Sequence, residues 1–225
     1  MCYSVESSAK TTLLSLTAII VLIRSNVPHF QWIGAILIGW CGMQFTELLL
    51  WLTNPRKSCT PMNKLITLTL IPFTLLLQPC GTVFGSFFVK PWSECSPLRK
   101  TFIVICVVMS FIMVSYFYSD PVKYCTTVSP NGHLNWSLTY NSENLTTEYI
   151  RTYYIWALAI LFPILLWDIS YKIVVAISII PLLSFFIGLK TDSSASIWCH
   201  YTSFTSIMAL ILYGLYKFNI YNILK

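Results

Sequence analysis

The chain reads as all-α, an integral membrane bundle of about seven transmembrane helices, and three observations carry that reading. Only 10% of its 225 residues are charged, against about a quarter in soluble domains. The shortage recurs along the whole length, as long uncharged runs split by short polar stretches. Within those runs, as from Ile155 to Phe162, apolar and polar residues do not alternate. Barrel strands would alternate over about ten residues, so helices are predicted. A chain this poor in charge cannot cover itself with polar surface, and its solvent is expected to be lipid. The aromatic content of 16% fits, because Trp and Tyr favour the two membrane interfaces.

Charges mark the spans in order. Lys10 and Arg24 bracket 13 uncharged residues. That is short for a span of about 20, so the first helix must begin near Ser4 and cover about 4–24. From Ser25 to Pro55 the only acid or base apart from His29 is Glu47, which gives a second span over 30–53. Charge-free runs from Leu65 to Val89 and from Thr101 to Ser119 give spans over 64–89 and 100–118. Two shorter runs, separated by Asp168 to Lys172, give 151–168 and 172–189, and the last span covers 195–217. Pro72, Pro79, Pro163 and Pro181 fall inside spans, where neighbouring helices can satisfy the freed carbonyls. No internal repeat is visible, so 1–225 is read as one domain. With no basic leader and no small-residue cleavage site, the first run is expected to be a span rather than a removable signal.

The net charge of +6 mildly favours anionic lipid headgroups. Lys and Arg lie singly or in pairs between apolar runs, so the expected partner is the lipid bilayer and not nucleic acid. Cys41, Cys80, Cys106 and Cys199 sit in apolar segments, where Cys behaves as a small apolar residue. Cys59, Cys95 and Cys125 sit in connections, with no CxxC pair and no zinc-ligand spacing. No disulfide scaffold, metal or other cofactor is expected.

The one long connection, an exposed loop over 120–150, holds two glycosylation matches, Asn135-Trp-Ser137 and Asn144-Leu-Thr146. They place this loop on the exoplasmic side. Counting sides then puts the N-terminus outside and the C-terminus inside. Lys and Arg number seven on each side, so the positive-inside rule does not choose.

Polar residues inside the spans are the candidate site. An ionisable group at membrane depth costs roughly 2.5–3.5 kcal/mol on insertion scales and so faces protein or water. Glu47 is the one acid well inside a span, and Trp40, Gln44, Glu47 and Trp51 share a helix face. Asn63, Thr67, Thr74 and Gln78 line one face of the third span. Ser196, Cys199, Ser203 and Ser206 line the last, with Trp198 beside them, and Ser4, Ser8 and Ser15 mark the first. Either the stripes converge on a buried polar pocket centred on Glu47, or they hydrogen-bond helices together at about 0.6–2 kcal/mol per bond.

The start Met1-Cys2-Tyr3-Ser4, then Gln44-x-x-Glu47-x-x-x-Trp51, Asn63, Gln78-Pro79 and Ser196-Ile-Trp198-Cys199 follow in order. This order resembles the uncharacterised polytopic membrane proteins of giant DNA viruses and some bacteria, which typically open Met-Cys-Phe-Ser. Here Tyr3 stands in place of the Phe. The resemblance covers spans one to three and seven. It implies architecture and a site, not a reaction, and it draws attention to Cys2. Removal of Met1 would leave a free Cys2 amine, ordinarily of pKa about 7.7–8.0, able to pair with Glu47; the other reading is a plain helix start with Ser4 as N-cap.

Familiar seven-span classes lack their residues here. No Lys lies mid-way along the last span for a retinal Schiff base, and His29, His133 and His200 are too few and too dispersed for hydrolytic zinc. The Asp-Arg-Tyr and Asn-Pro-x-x-Tyr motifs of G-protein-coupled receptors are missing. Three functions remain in view. One is a non-enzymatic protein that binds or conducts a small ligand, ion or proton at Glu47. Another is a structural or assembly protein of a viral envelope, with the N-terminus exoplasmic in a host or viral membrane. The third is an intramembrane enzyme with Cys2 or Cys199 as nucleophile, which would need a nearby base or cation.

Overall fold

The computed structural model describes residues 3–118, 125–136, 171–188 and 194–220. Among them are six α-helices: α1 (Val5–Ile23), α2 (Pro28–Leu52), α3 (Pro61–Gly85), α4 (Pro97–Tyr118), α5 (Tyr171–Gly188) and α6 (Ser194–Lys217). A small antiparallel hairpin of β1 (Thr127–Val128) and β2 (Leu134–Asn135) follows α4, pairing Thr127 with Asn135 and Val128 with Leu134. The predicted span over 151–168, the Asn144 sequon and Cys2 lie outside the described residues.

Local chemistry sets the helix ends. The Ser4 hydroxyl accepts the Ser7 amide at 3.3 Å, and the Ser7 hydroxyl accepts the Ser4 amide at 3.2 Å. This reciprocal cap starts α1. Pro28 and Pro61 occupy first-turn positions, where a missing N–H costs nothing. Thr60 caps α3 by accepting the Asn63 amide at 3.1 Å. Asn26 and Asn54 take left-handed backbones, φ 55° and 56°, just past the ends of α1 and α2.

Among the described residues four helices are long and apolar enough to cross a membrane: Val5–Ile23, Pro28–Leu52, Pro61–Phe88 and Pro97–Ser115. Their packing is inverted relative to a soluble bundle. Leu13, Ile20, Ile38, Phe45, Leu65, Phe73, Val104, Phe111 and Ile112 are exposed, while Ser8, Ser15, Gln44, Glu47, Asn63 and Gln78 are buried. Such an exterior is stable against hydrocarbon and unfavourable against water. This is the build of a membrane protein.

Helix α2 is the hub, packed against α1, α3 and α6. Its approach to α3 is close enough to demand glycine: a Cβ on Gly39 would stand 2.7 Å from the Gln78 Cα, and one on Gly81 2.7 Å from the Ala35 carbonyl oxygen. Two apolar clusters fill the bundle. One, at the hairpin end, joins Met43, Leu50, Trp51, Leu75, Met113, Leu134, Trp136, Trp198 and Cys199. The other, at the opposite end, joins Phe30, Trp32, Val83, Ile103, Ile173 and Ala209.

Candidate functional site

The polar residues of α2, α3 and α6 form a column descending from the hairpin end. Helical rise sets their depths: Glu47, Gln44 and Trp40 lie about 7.5, 12 and 18 Å before the end of α2 at Leu52.

The uppermost layer ties the hairpin to the bundle. The Asn63 amide makes four hydrogen bonds: it donates to Thr53 Oγ1 and to the Thr126 carbonyl, both at 3.1 Å, and accepts from the Thr126 amide at 2.9 Å and the Thr67 hydroxyl at 3.3 Å. That uses every donor and acceptor an asparagine side chain has. Thr67 and Thr126 hydroxyls also meet at 2.9 Å. Beside them Cys59 and Cys125 are joined in a disulfide, Cα to Cα 5.7 Å. The sequence predicts no disulfide scaffold, and among the described residues this single bridge forms. The partners lie 66 residues apart, and only the return of the chain after α4 brings them together.

Glu47 forms the second layer. It is fully buried, and the indole of Trp136 donates to its Oε1 at 3.2 Å. Trp51, Trp198 and Cys199 belong to the same cluster as Trp136, and the Arg56 guanidinium stands 5.7 Å from the Trp51 ring centroid. Residues 125–136 are thus not the exposed stretch expected of the 120–150 loop, since Leu134 and Trp136 are buried. Asn135, between them in sequence, is half-buried in β2.

The third layer is deeper. Ser15 donates to Gln44 Oε1 at 2.7 Å and meets Ser206 at 2.9 Å. Its proton is committed to Gln44, so Ser206 donates to Ser15, and α1, α2 and α6 are joined at one point. Several buried polar atoms have no partner among the described residues: Gln44 Nε2, Trp40 Nε1, both amide atoms of Gln78, Ser8 Oγ and Thr205 Oγ1. Trp40 meets Trp198 edge-on, centroids 6.3 Å apart.

A separate aromatic group closes the hairpin end. Tyr3 lies over His133 at 4.0 Å and meets His200 at 6.0 Å, while His133 Nδ1 lies 3.3 Å from Ser196 Oγ. Burial, and after it the neighbouring His200, hold the His133 pKa down at about 4. At neutral pH the ring is uncharged. The His200 ring turns toward Tyr3 and His133, whereas Cys199 packs in the apolar cluster with Trp198.

The structure therefore brings Trp51, Trp198 and Cys199 into the cluster that holds the Glu47 partner, and places Gln44 one layer below. Asn63 serves the hairpin rather than Glu47, and Ser4 serves the start of α1. Sequence reasoning missed Trp136 and Thr126. Their signal was the Asn131-Gly132 pair flanked by Val128 and Leu134, a hairpin turn pattern; Gly132 has φ 83°. Against known proteins, the chain matches no family model, no curated protein and no solved structure.

Chemically, a buried carboxyl with unpartnered amide and indole groups below it offers both acceptors and donors to something small and polar. A proton, a cation or a hydrogen-bonding ligand fits that description.

Proposed function

We propose that the chain is a seven-span membrane protein that binds or passes a small polar ligand, cation or proton at Glu47. The observation that carries this is a fully buried carboxyl within a membrane helix, above the buried Gln44 Nε2, Trp40 Nε1 and Gln78 amide atoms, which have no hydrogen-bond partner among the described residues. Leaving buried polar groups unpaired costs about 1–3 kcal/mol each, so a site of this kind is better explained by an occupant than by packing alone. A second reading, in which polar stripes only join helices, is favoured by the Ser15–Gln44–Ser206 and Thr46–Thr74 contacts. It accounts for those pairs and for the Trp136–Glu47 bond, and leaves unexplained the Gln44, Trp40 and Gln78 atoms that have no partner among the described residues.

The ends at which the described segments lie support the seventh span. The hairpin and Trp136 lie at one end of the bundle, whereas Ile173, at the start of α5, belongs to the cluster at the other. A seventh crossing over 151–168, as the sequence predicts, would join the two ends. The Cys59–Cys125 bridge supports an exoplasmic hairpin end, because disulfides persist in oxidising compartments. The two sequons point the same way, and the start of α1, where Tyr3 meets His133, shares that side.

The test is a pair of variants in sealed liposomes loaded with pH- and cation-sensitive dyes. Glu47→Gln keeps an acceptor for Trp136 and removes the charge; it should fold normally and abolish proton or cation flux, or binding of a titrated ion. Glu47→Leu should lower thermal stability as well. Flux or binding equal to the parent in Glu47→Gln counts against the proposal and leaves the packing reading.

A further inference from the structure

We infer that the hairpin 125–136 is a redox-latched cover over the Glu47 site, held shut by the Cys59–Cys125 bridge and released by an exoplasmic dithiol. The inference rests on the reading of Glu47 as a site that an occupant must reach. Four attachments act along the hairpin, the His133–Ser196 contact among them. The bridge fixes Cys125 to the α2–α3 connection, Asn63 and Thr67 hold Thr126, and Trp136 at the far end donates to Glu47. Leu134 and Trp136 bury their side chains between helices, so the hairpin fills the mouth of the polar column. Only the bridge is covalent. The others are buried hydrogen bonds, each contributing about 0.5–1.5 kcal/mol net.

The bridge is also placed for attack. Cys59 is exposed and Cys125 buried, so an incoming thiolate reaches the Cys59 sulfur and expels Cys125 as thiolate. The second thiol of the reductant then resolves the mixed disulfide. One dithiol becomes one cyclic disulfide, and its two electrons and two protons leave Cys59 and Cys125 as thiols. The hairpin then keeps only its non-covalent holds.

The experiment uses the full chain in lipid nanodiscs with Cys2, Cys41, Cys80 and Cys95 replaced by Ala. Cys199, buried beside Trp136, is the reporter, and Cys106, buried in the opposite cluster, is the control. Both are probed with a sulfonated, membrane-impermeant maleimide and read by peptide mass spectrometry. After treatment with dithiothreitol, labelling of Cys199 should accelerate by about tenfold or more, because labelling follows the population of the open form, while Cys106 stays slow. Re-oxidation should restore the slow rate. The Cys59→Ala, Cys125→Ala variant should label fast without reductant; should it fail to fold, the reduced parent protein decides alone. An unchanged Cys199 rate overturns the cover, and so does equal acceleration at Cys106, which means the whole bundle has loosened. No ligand is involved, so inert Glu47 variants would sink the proposed function and leave this result standing.

Discussion

At the scale of single residues, the column assigns different tasks to side chains that look alike in sequence. Asn63 and Gln78 sit on one face of α3, yet Asn63 spends all its hydrogen bonds on Thr53, Thr67 and Thr126, while the Gln78 amide has no partner among the described residues. Asn63→Leu should therefore act as a structural lesion. It strands the Thr126 carbonyl, at about 1–3 kcal/mol for a buried group, and leaves the Thr126 amide only the Thr67 hydroxyl. A fall in the melting midpoint in detergent measures it; an unchanged midpoint contradicts the latch. Gln78→Leu should be nearly neutral by the same measurement. His133 gives a pH prediction whose sign follows from linkage. Its pKa is about 4 in the folded chain against an ordinary 6.5, so between those values the unfolded chain binds more protons and stability falls as pH falls. The stabilising contribution is complete above about pH 6.5 and is lost on the way down to about 4. Melting curves from pH 7 to 5 should show this slope, and His133→Gln should reduce it; parallel curves for the two proteins would remove His133 as its source.

At the scale of elements, the α2–α3 pair is the stiffest joint. Gly39 and Gly81 let the two backbones touch, which is how membrane helices gain packing energy where no hydrophobic drive separates lipid from side chain. A methyl on Gly39 meets the Gln78 Cα and the Leu77 carbonyl oxygen, both at 2.7 Å, and these are backbone atoms that cannot rotate away. Gly39→Ala is predicted to lower stability by about 1–3 kcal/mol through overpacking, whereas Gly214→Ala, with nothing within 4 Å, should not. Equal midpoints for the two variants would show that α2 and α3 can separate freely. The bridge links residues 66 apart, and loop-closure entropy alone assigns it about 4 kcal/mol. That is an upper limit, because α3 and α4 lie between its ends and insertion of those helices already restricts the loop.

At the scale of the molecule, sidedness is the property that every element shares. A protease-cleavable tag added after Lys225 should stay intact on whole cells and be cut once they are permeabilised, since the proposed topology leaves that end cytosolic; cleavage on intact cells reverses the topology. The sequence by itself determined the helical class and the apolar character of the long helices. Those follow from charge spacing and from the lack of alternation, which act within a few residues. It also picked out Glu47, because a lone acid in an uncharged run is visible without coordinates. Only the tertiary structure decided what Glu47 touches. Trp136 lies 89 positions away, and Cys59 meets Cys125 only because the chain after α4 folds back into the bundle. Periodicity reports which face of a helix is polar; which partner that face meets depends on how helices distant in sequence pack, and that information is not local.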